Sequence, residues 1–229
     1  MFTLKMKTLI ISLGGSIIAP DKPDHFFIRE FKNFVLNNLD KYRFIISCGG
    51  GKTNSYYNHA AKRISDVSDD DLDWIGIMAS RLNAELIRSI FGKLAYEKVL
   101  IDPEKTIKTD KKIIISAGYK PGRSTDYITV LLAKMFNSNL VINLTKLSYV
   151  YDKDPEKFEN AKKLFSVSWN DYLKIIGKKW TPRLNTPFDP IASTLAKEYK
   201  IKVAIMKGTD LHNLENYLNN NNFEGTIIG

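Results

Sequence analysis

Short, uninterrupted apolar runs rich in isoleucine and valine recur at residues 8–13, 43–48, 98–101, 112–116, 140–144 and 202–206, each bounded by Gly, Asn, Asp or Lys. Runs of this length predict strands, and their continuous apolar character predicts central parallel strands covered on both faces. Between them, apolar residues return at intervals of three and four over 26–39, 55–64, 73–91, 126–136, 169–176 and 190–199, which predicts helices. Strands alternating with helices define an α/β sandwich with a mostly parallel central sheet, a class that gathers ligands at the carboxyl ends of its strands. Residues 219–222 read as a polar turn, and 225–229 can add a last strand.

Those carboxyl ends are where the unusual residues cluster. The first run leads into Gly14, Gly15 and Ser16, and the second into Gly49, Gly50, Gly51 and Lys52. Glycine is entropically costly, so such positions require either φ > 0 or close approach to the main chain. Two glycine turns side by side can surround a polyphosphate with amides in a way that one cannot. Neither has the spacing of a Walker loop or of G-x-G-x-x-G. Lys52 suits either a phosphate-steering point charge or an exposed lysine in a first helical turn. A third element, Gly118, Tyr119, Lys120, Pro121, Gly122, Arg123, Ser124 and Thr125, follows a strand and opens a helix, with Asp126 in the first turn. Hydroxyl, guanidinium and main-chain donors converge there, which suits a monophosphate as well as a capped helix start.

Composition narrows the classes. The 229 residues, 44% hydrophobic, suffice for one large domain or two tightly joined lobes; no internal repeat or low-complexity linker divides the chain. The net charge of +9 is dispersed among Asp and Glu, which favours a small anionic ligand over nucleic acid. No apolar stretch approaches the roughly 20 residues needed to span a bilayer, and the opening segment reads as a strand rather than a signal peptide. The single Cys48 excludes an internal disulfide framework and fits a reducing compartment, so a cytoplasmic location is expected. His25, His59 and His212 stand in unrelated contexts and read as surface or structural residues.

Taken in order, Gly14–Gly15–Ser16, the triple glycine at 49–51, Leu72 to Ile77 leading to Ala79–Ser80–Arg81–Leu82–Asn83–Ala84, the Pro121 to Thr125 loop, Thr145 with Tyr151 to Pro155, and Phe188 to Ala192 resemble the amino acid kinase superfamily, and within it the archaeal-type uridylate kinases. The resemblance spans essentially the whole chain. It implies a three-layer α/β/α fold, ATP with Mg²⁺ bound mainly through the ATP phosphates, γ-phosphoryl transfer to UMP in pyrimidine nucleotide biosynthesis, and a homohexamer built from dimers. It further implies an acceptor-binding lobe over about 1–126 and an ATP-binding lobe over about 127–229. Gly14, Gly15, Ser16, Gly50, Thr145, Tyr151 and Asp154 would serve ATP. Gly49, Asp73 and Gly118 through Thr125 (Gly118, Tyr119, Lys120, Pro121, Gly122, Arg123, Ser124, Thr125) would serve UMP. Lys52, Arg123 and Asp189 would attend the transferring phosphate, with no dedicated protein metal site. Asp73 equally suits a helix-start acid, and the Asp189–Pro190 pair an ordinary turn.

The pattern departs from the family in three places. Ser12 stands where many relatives carry a lysine before the glycines, so positive charge must come from Lys52, Arg123, Mg²⁺ or another loop. Lys146–Leu147–Ser148–Tyr149–Val150 replaces Asn-Val-Asp-Gly-Val near the nucleotide. Asn54 and Ser55 lie where an arginine commonly follows the triple glycine. A same-fold kinase for another small phosphate or carboxylate acceptor, and a non-catalytic nucleotide-binding or storage protein, therefore stay open as alternatives.

Overall fold

The computed structural model describes residues 6–177 and 186–229, so the strand expected at the chain start is open to comparison only from Met6 onward; Met1 to Lys5 lie outside the described residues. Seven strands form one sheet in the order β3-β2-β1-β4-β8-β9-β7. They are β1 (Lys7–Leu13), β2 (Tyr42–Cys48), β3 (Ile113–Ser116), β4 (Leu140–Thr145), β7 (Ser166–Val167), β8 (Lys202–Lys207) and β9 (Thr226–Ile228), while β5 (Val150–Tyr151) and β6 (Lys163–Leu164) pair separately as a small antiparallel ribbon. Every pairing in the large sheet is parallel except β8 with β9.

The apolar runs are continuous because both faces of the sheet are covered. Leu9, Ile11, Leu13, Phe44, Ile46 and Cys48 face a core with α2 (His25–Asn37) and α4 (Asp69–Phe91), joined by Leu214 of α8 (Leu211–Leu218). Ile10, Ile45 and Ile114 face the opposite core with α5 (Thr125–Met135), α6 (Trp169–Ile176) and α7 (Pro190–Glu198). The remaining helices are the single turn α1 (Gly15–Ile18) and α3 (Gly51–Ile64), which stands beside α4. This is the expected three-layer α/β/α architecture.

The structure departs from the sequence reading at several points, among them the short strands β5, β6 and β7 and a start of α3 at Gly51 rather than 55. The run 98–101 is not a strand: Leu100 alone bridges Ser116, giving its carbonyl to the Ser116 hydroxyl, while Lys98 and Ile101 are exposed. Pro103, which lacks an amide donor, follows too closely for a ladder to extend. Helix α4 begins at Asp69 rather than 73 because the Ser68 hydroxyl accepts from the Asp71 amide, with three aspartates in the first turn facing the helix dipole. Helix α8 went unread; Asp210 caps it through the Asn213 amide.

Phe31 is fully buried and stacks between Phe27 and Phe34 at 5.9 and 6.4 Å. Phe31→Ala is expected to cost about 3–5 kcal/mol in urea unfolding; a loss below about 1 kcal/mol would contradict this packing.

Candidate active site

The two glycine turns meet back to back. A Cβ on Gly15 would lie 2.0 Å from the Gly51 amide nitrogen and 2.6 Å from the Gly49 carbonyl oxygen. Close approach of main chain to main chain therefore accounts for these glycines, and only Gly51 of the set also needs a left-handed φ, at +62°. The contact is extended by the Gly14 amide donating to the Leu144 carbonyl at 2.9 Å and the Gly49 amide to the Leu13 carbonyl at 3.0 Å.

Helix α4 fixes the loops from the other side. Asn83 Nδ2 donates to the carbonyls of Gly49 at 2.8 Å and Gly50 at 3.2 Å. Arg81 donates to the carbonyls of Gly118 and Tyr119, both at 3.1 Å. The Gly118 amide donates to the Ser80 hydroxyl oxygen at 2.9 Å, and the Gly122 amide to the Asp73 carboxylate at 2.8 Å. Gly122 reaches this pose with φ +72°, which a side chain resists.

Between α3, α4 and the loop after β3 lies a cleft of about 260 Å³. Gly50, Asp73, Gly118, Lys120, Arg123, Ser124, Thr125 and Asp189 line it, so eight of the sequence-nominated residues converge. The amino ends of three helices also border it: α3 at Gly50, α5 at Ser124, and α7 at Asp189. Aligned helix dipoles at amino ends favour an anion. Arg123 adds a full charge, its guanidinium 4.7 Å from the Tyr127 ring centroid.

Other nominated residues stand elsewhere. Lys52 is exposed, its ammonium 5.9 Å from the Tyr56 ring, and does not line the cleft. Tyr119 turns away: its hydroxyl bonds the Glu104 carboxylate and its ring lines a separate groove with Tyr96 and Ile107. Pro121 and Gly122 shape the loop without lining the cleft. Gly14, Gly15, Ser16 and Thr145 gather at the ends of β1 and β4, where a Cβ on Gly14 would touch the Leu144 carbonyl oxygen and the Thr145 Cα. Tyr151 sits on the β5–β6 ribbon, and Asp154 just beyond it accepts from the Glu156 amide and pairs with Lys157 at 3.4 Å. The altered segment before them is structural, since Tyr149 is buried edge-on against Phe165 beneath the Lys163 ammonium, while Lys146 is exposed.

Asp189 lines the cleft with its oxygens already engaged. One accepts from the Ile191 and Ala192 amides, capping α7, and the other from the Ser124 hydroxyl. Its own amide donates to the Asp126 carboxylate at 3.1 Å. Asp126 is the residue the sequence reading undervalued as a first-turn acid. Burial, then the adjacent Asp189 carboxylate, push it up to about 8, against the pull of the Asp189 amide and the Ser12 hydroxyl. Ser12 thus fills the lysine's place with a neutral group facing a carboxyl that keeps its proton near neutrality. Asn54, Asn58 and Thr186 also line the cleft without having been singled out as ligand contacts; only Asn54 carried a signal, as the replacement for an arginine.

Because the folded carboxyl of Asp126 binds its proton more tightly than the unfolded one, its stabilising contribution is present below about pH 4 and is lost as pH rises through about 8. Asp126→Asn is expected to gain stability relative to the parent across that window, measured by urea unfolding at several pH values. Parallel profiles for the two proteins would contradict the assignment.

The sequence profile of the amino acid kinase family matches residues 7–207. The uridylate kinase of Pyrococcus abyssi is 30% identical over 223 residues, covering 96% of this chain and 98% of that protein. The uridylate kinase of Methanospirillum hungatei is 30% identical over 226 residues, covering 97% and 95%. The crystal structure of uridylate kinase from Archaeoglobus fulgidus superposes with a TM-score of 0.81 at 28% identity, over 98% of this chain and all of that one. Matching profile, matching length and matching fold agree with the clamped glycine turns: the chain belongs to the amino acid kinase family.

Proposed function

We propose that the protein transfers the γ-phosphoryl group of ATP to UMP, giving ADP and UDP in pyrimidine nucleotide biosynthesis in the cytoplasm. The observation that carries this reading is the junction of helix amino ends with Arg123, Ser124 and Thr125 in one cleft, beside full-length likeness to proteins named uridylate kinases. Phosphoryl transfer asks the protein for placement and positive charge more than for covalent chemistry. The accepting oxygen of UMP is already ionised, so no general base is needed.

In this reading the cleft holds the acceptor. Arg123, Lys120, Ser124 and Thr125 grip its phosphate, Asp73 meets its ribose, Gly118 forms part of the wall, and Gly49 and Gly122 shape the loops behind it; Pro121 stiffens the loop, and Tyr119 anchors it from behind. ATP lies along Gly14, Gly15, Ser16, Gly50 and Thr145 toward Tyr151 and Asp154. Residues 1–126 then supply most of the acceptor side, and 127–229 share the donor side with Gly14, Gly15, Ser16 and Gly50, while Asp189 and Thr186 cross to the acceptor cleft. Asp189 acts by holding Ser124 and two helix ends in place, and Lys52 contributes only long-range attraction.

Among the described residues no group of three or more His, Cys, Asp or Glu side chains could hold a metal ion. In this reading Mg²⁺ is carried mainly on the ATP phosphates; Asp126 and Asp189 are among the carboxyls that line the cleft. When bound, the ion would supply neutralisation of phosphate charge. Among the described residues no helix is long and apolar enough to cross a membrane.

Self-association into a homohexamer built from dimers would use the exposed apolar groups of α3 and α4. Tyr57 and Ile64 are 66% and 84% exposed, and Met78 and Leu82, one turn apart beyond Trp74, are 58% and 66% exposed. So many large apolar groups on neighbouring helices are unusual for a monomer's surface. Light scattering is expected to show a hexamer that Leu82→Glu dissociates; a monomeric parent protein would contradict this.

A coupled assay with Mg²⁺-ATP over nucleoside monophosphates is expected to give turnover with UMP above all others. Arg123→Ala and Asp73→Ala should each lower kcat/KM for UMP by about 100-fold, the scale of a lost charged contact in a desolvated site. Stabilisation by ATP or UMP without turnover would contradict the enzymatic reading, and unaltered kinetics in both variants would contradict the residue roles.

A further inference from the structure

The segment 186–189 is held at the carboxyl end of the sheet by side chains from three elements. Asn143 Nδ2, on β4, donates to the Pro187 carbonyl at 2.8 Å. The hydroxyl of the fully buried Tyr172, on α6, accepts from the Phe188 amide and donates to the Phe188 carbonyl, both at 2.8 Å. Asp189 is tied to Ser124 and Asp126 at the start of α5. Thr186 stands at the head of this segment, and the proline after it restricts its backbone to extended conformations.

Among the described residues the Thr186 Oγ1 is buried and has no hydrogen-bond partner, although the residue lines the cleft. An unpaired buried hydroxyl costs stability, and valine would fill the same volume without that cost. Arg123 Nε, in the same lining, is likewise buried and unpaired. Two unspent donors in one wall suit a ligand rich in acceptors, and phosphate is such a ligand.

Position separates the two donors. Arg123, with Ser124 and Thr125, belongs to the loop after β3 that grips the acceptor phosphate in the proposed reaction. Thr186 reaches the cleft from the other half of the chain, anchored through Pro187 to β4, whose Leu144 carbonyl holds the Gly14 amide of the donor turn. The anchoring Asn143 is in register with Ser12, two residues before Gly14. Thr186 is thus tied to both sides of the reaction.

We propose that Thr186 is a catalytic residue whose hydroxyl donates a hydrogen bond to an equatorial oxygen of the phosphoryl group in transit. A step between staggered χ1 wells carries its oxygen from the wall into the cleft that the residue already lines. In the transfer, an oxygen of the UMP phosphate bonds to the γ-phosphorus while the bond to the β–γ bridging oxygen breaks, and ADP leaves with that electron pair. Negative charge is then spread over the equatorial oxygens, so a donor aimed there serves the transition state more than either bound substrate. The inference deepens the reading of the protein as a UMP kinase and rests on it.

The test reads the chemical step. Rapid-quench single turnovers, with protein in excess over labelled ATP and with UMP saturating, are compared for the parent protein, Thr186→Val and Thr186→Ser. Calorimetry gives the affinity for each nucleotide, and thermal midpoints check folding. Thr186→Val keeps the shape and loses the hydroxyl, and is expected to lower the single-turnover rate by about 10- to 100-fold. Its affinities for UMP and ATP should stay within about twofold of the parent's, and its thermal midpoint should not fall. Thr186→Ser should recover most of the rate. An unchanged rate in Thr186→Val, or a loss that serine does not recover, overturns the assignment. A loss confined to UMP affinity overturns it too, because Thr186 would then serve the bound acceptor alone. If Thr186→Val fails to fold, Thr186→Ala is read against Thr186→Ser in the same way. A parent protein that turns over no UMP overturns the uridylate reading and this inference with it, whereas UMP turnover with an unchanged Thr186→Val rate overturns the inference alone.

Discussion

Four side chains of α4, Asp73, Ser80, Arg81 and Asn83, hydrogen-bond the main chain of two loops that are far apart in sequence, the glycine turn after β2 and the loop after β3. Loops with several glycines have many conformations to lose, and a phosphate site needs one of them. Each clamp bond removes some of that freedom before any ligand arrives, so less ordering remains to oppose binding. The back-to-back contact of Gly15 with Gly49 and Gly51 closes the remaining side. The geometry of the cleft follows from this double restraint.

Charge is distributed to match. Amino ends of α3 and α5 supply partial positive charge without the desolvation cost of a buried lysine, the α7 end being capped by Asp189, and Arg123 supplies the full charge. Ser12 at the end of β1 therefore need not be replaced in kind. With no lysine opposite it, Asp126 retains a proton, and the cleft avoids a buried carboxylate pair that would repel phosphate. One substitution in a strand and one raised carboxyl are two sides of the same electrostatic balance.

The layers and most elements were legible in the chain because burial on both faces leaves continuous apolar runs, and helices announce themselves by spacing. The run 98–101 misled for the same reason: apolar residues at a sheet edge look like a strand until Pro103 and the exposed Lys98 and Ile101 are weighed. In the site, glycines and the Arg123 loop were legible because their residue types are rare outside such roles. Asp126, Asn58 and Thr186 were not, since aspartate, asparagine and threonine at helix ends and on helix faces are common and only burial singles them out. Lys52 and Tyr119 carried suitable chemistry but point elsewhere, which no local pattern reveals.

Amide NMR offers the most direct measurement. On addition of UMP and a non-hydrolysable ATP analogue with Mg²⁺, the largest ¹H–¹⁵N shifts are expected at Gly50, Lys120, Ser124 and Thr125, which line the cleft, with α4 nearly unmoved because it is already in place. Saturable binding that leaves those four amides unshifted, or that reorganises α4, would contradict a preformed main-chain phosphate site.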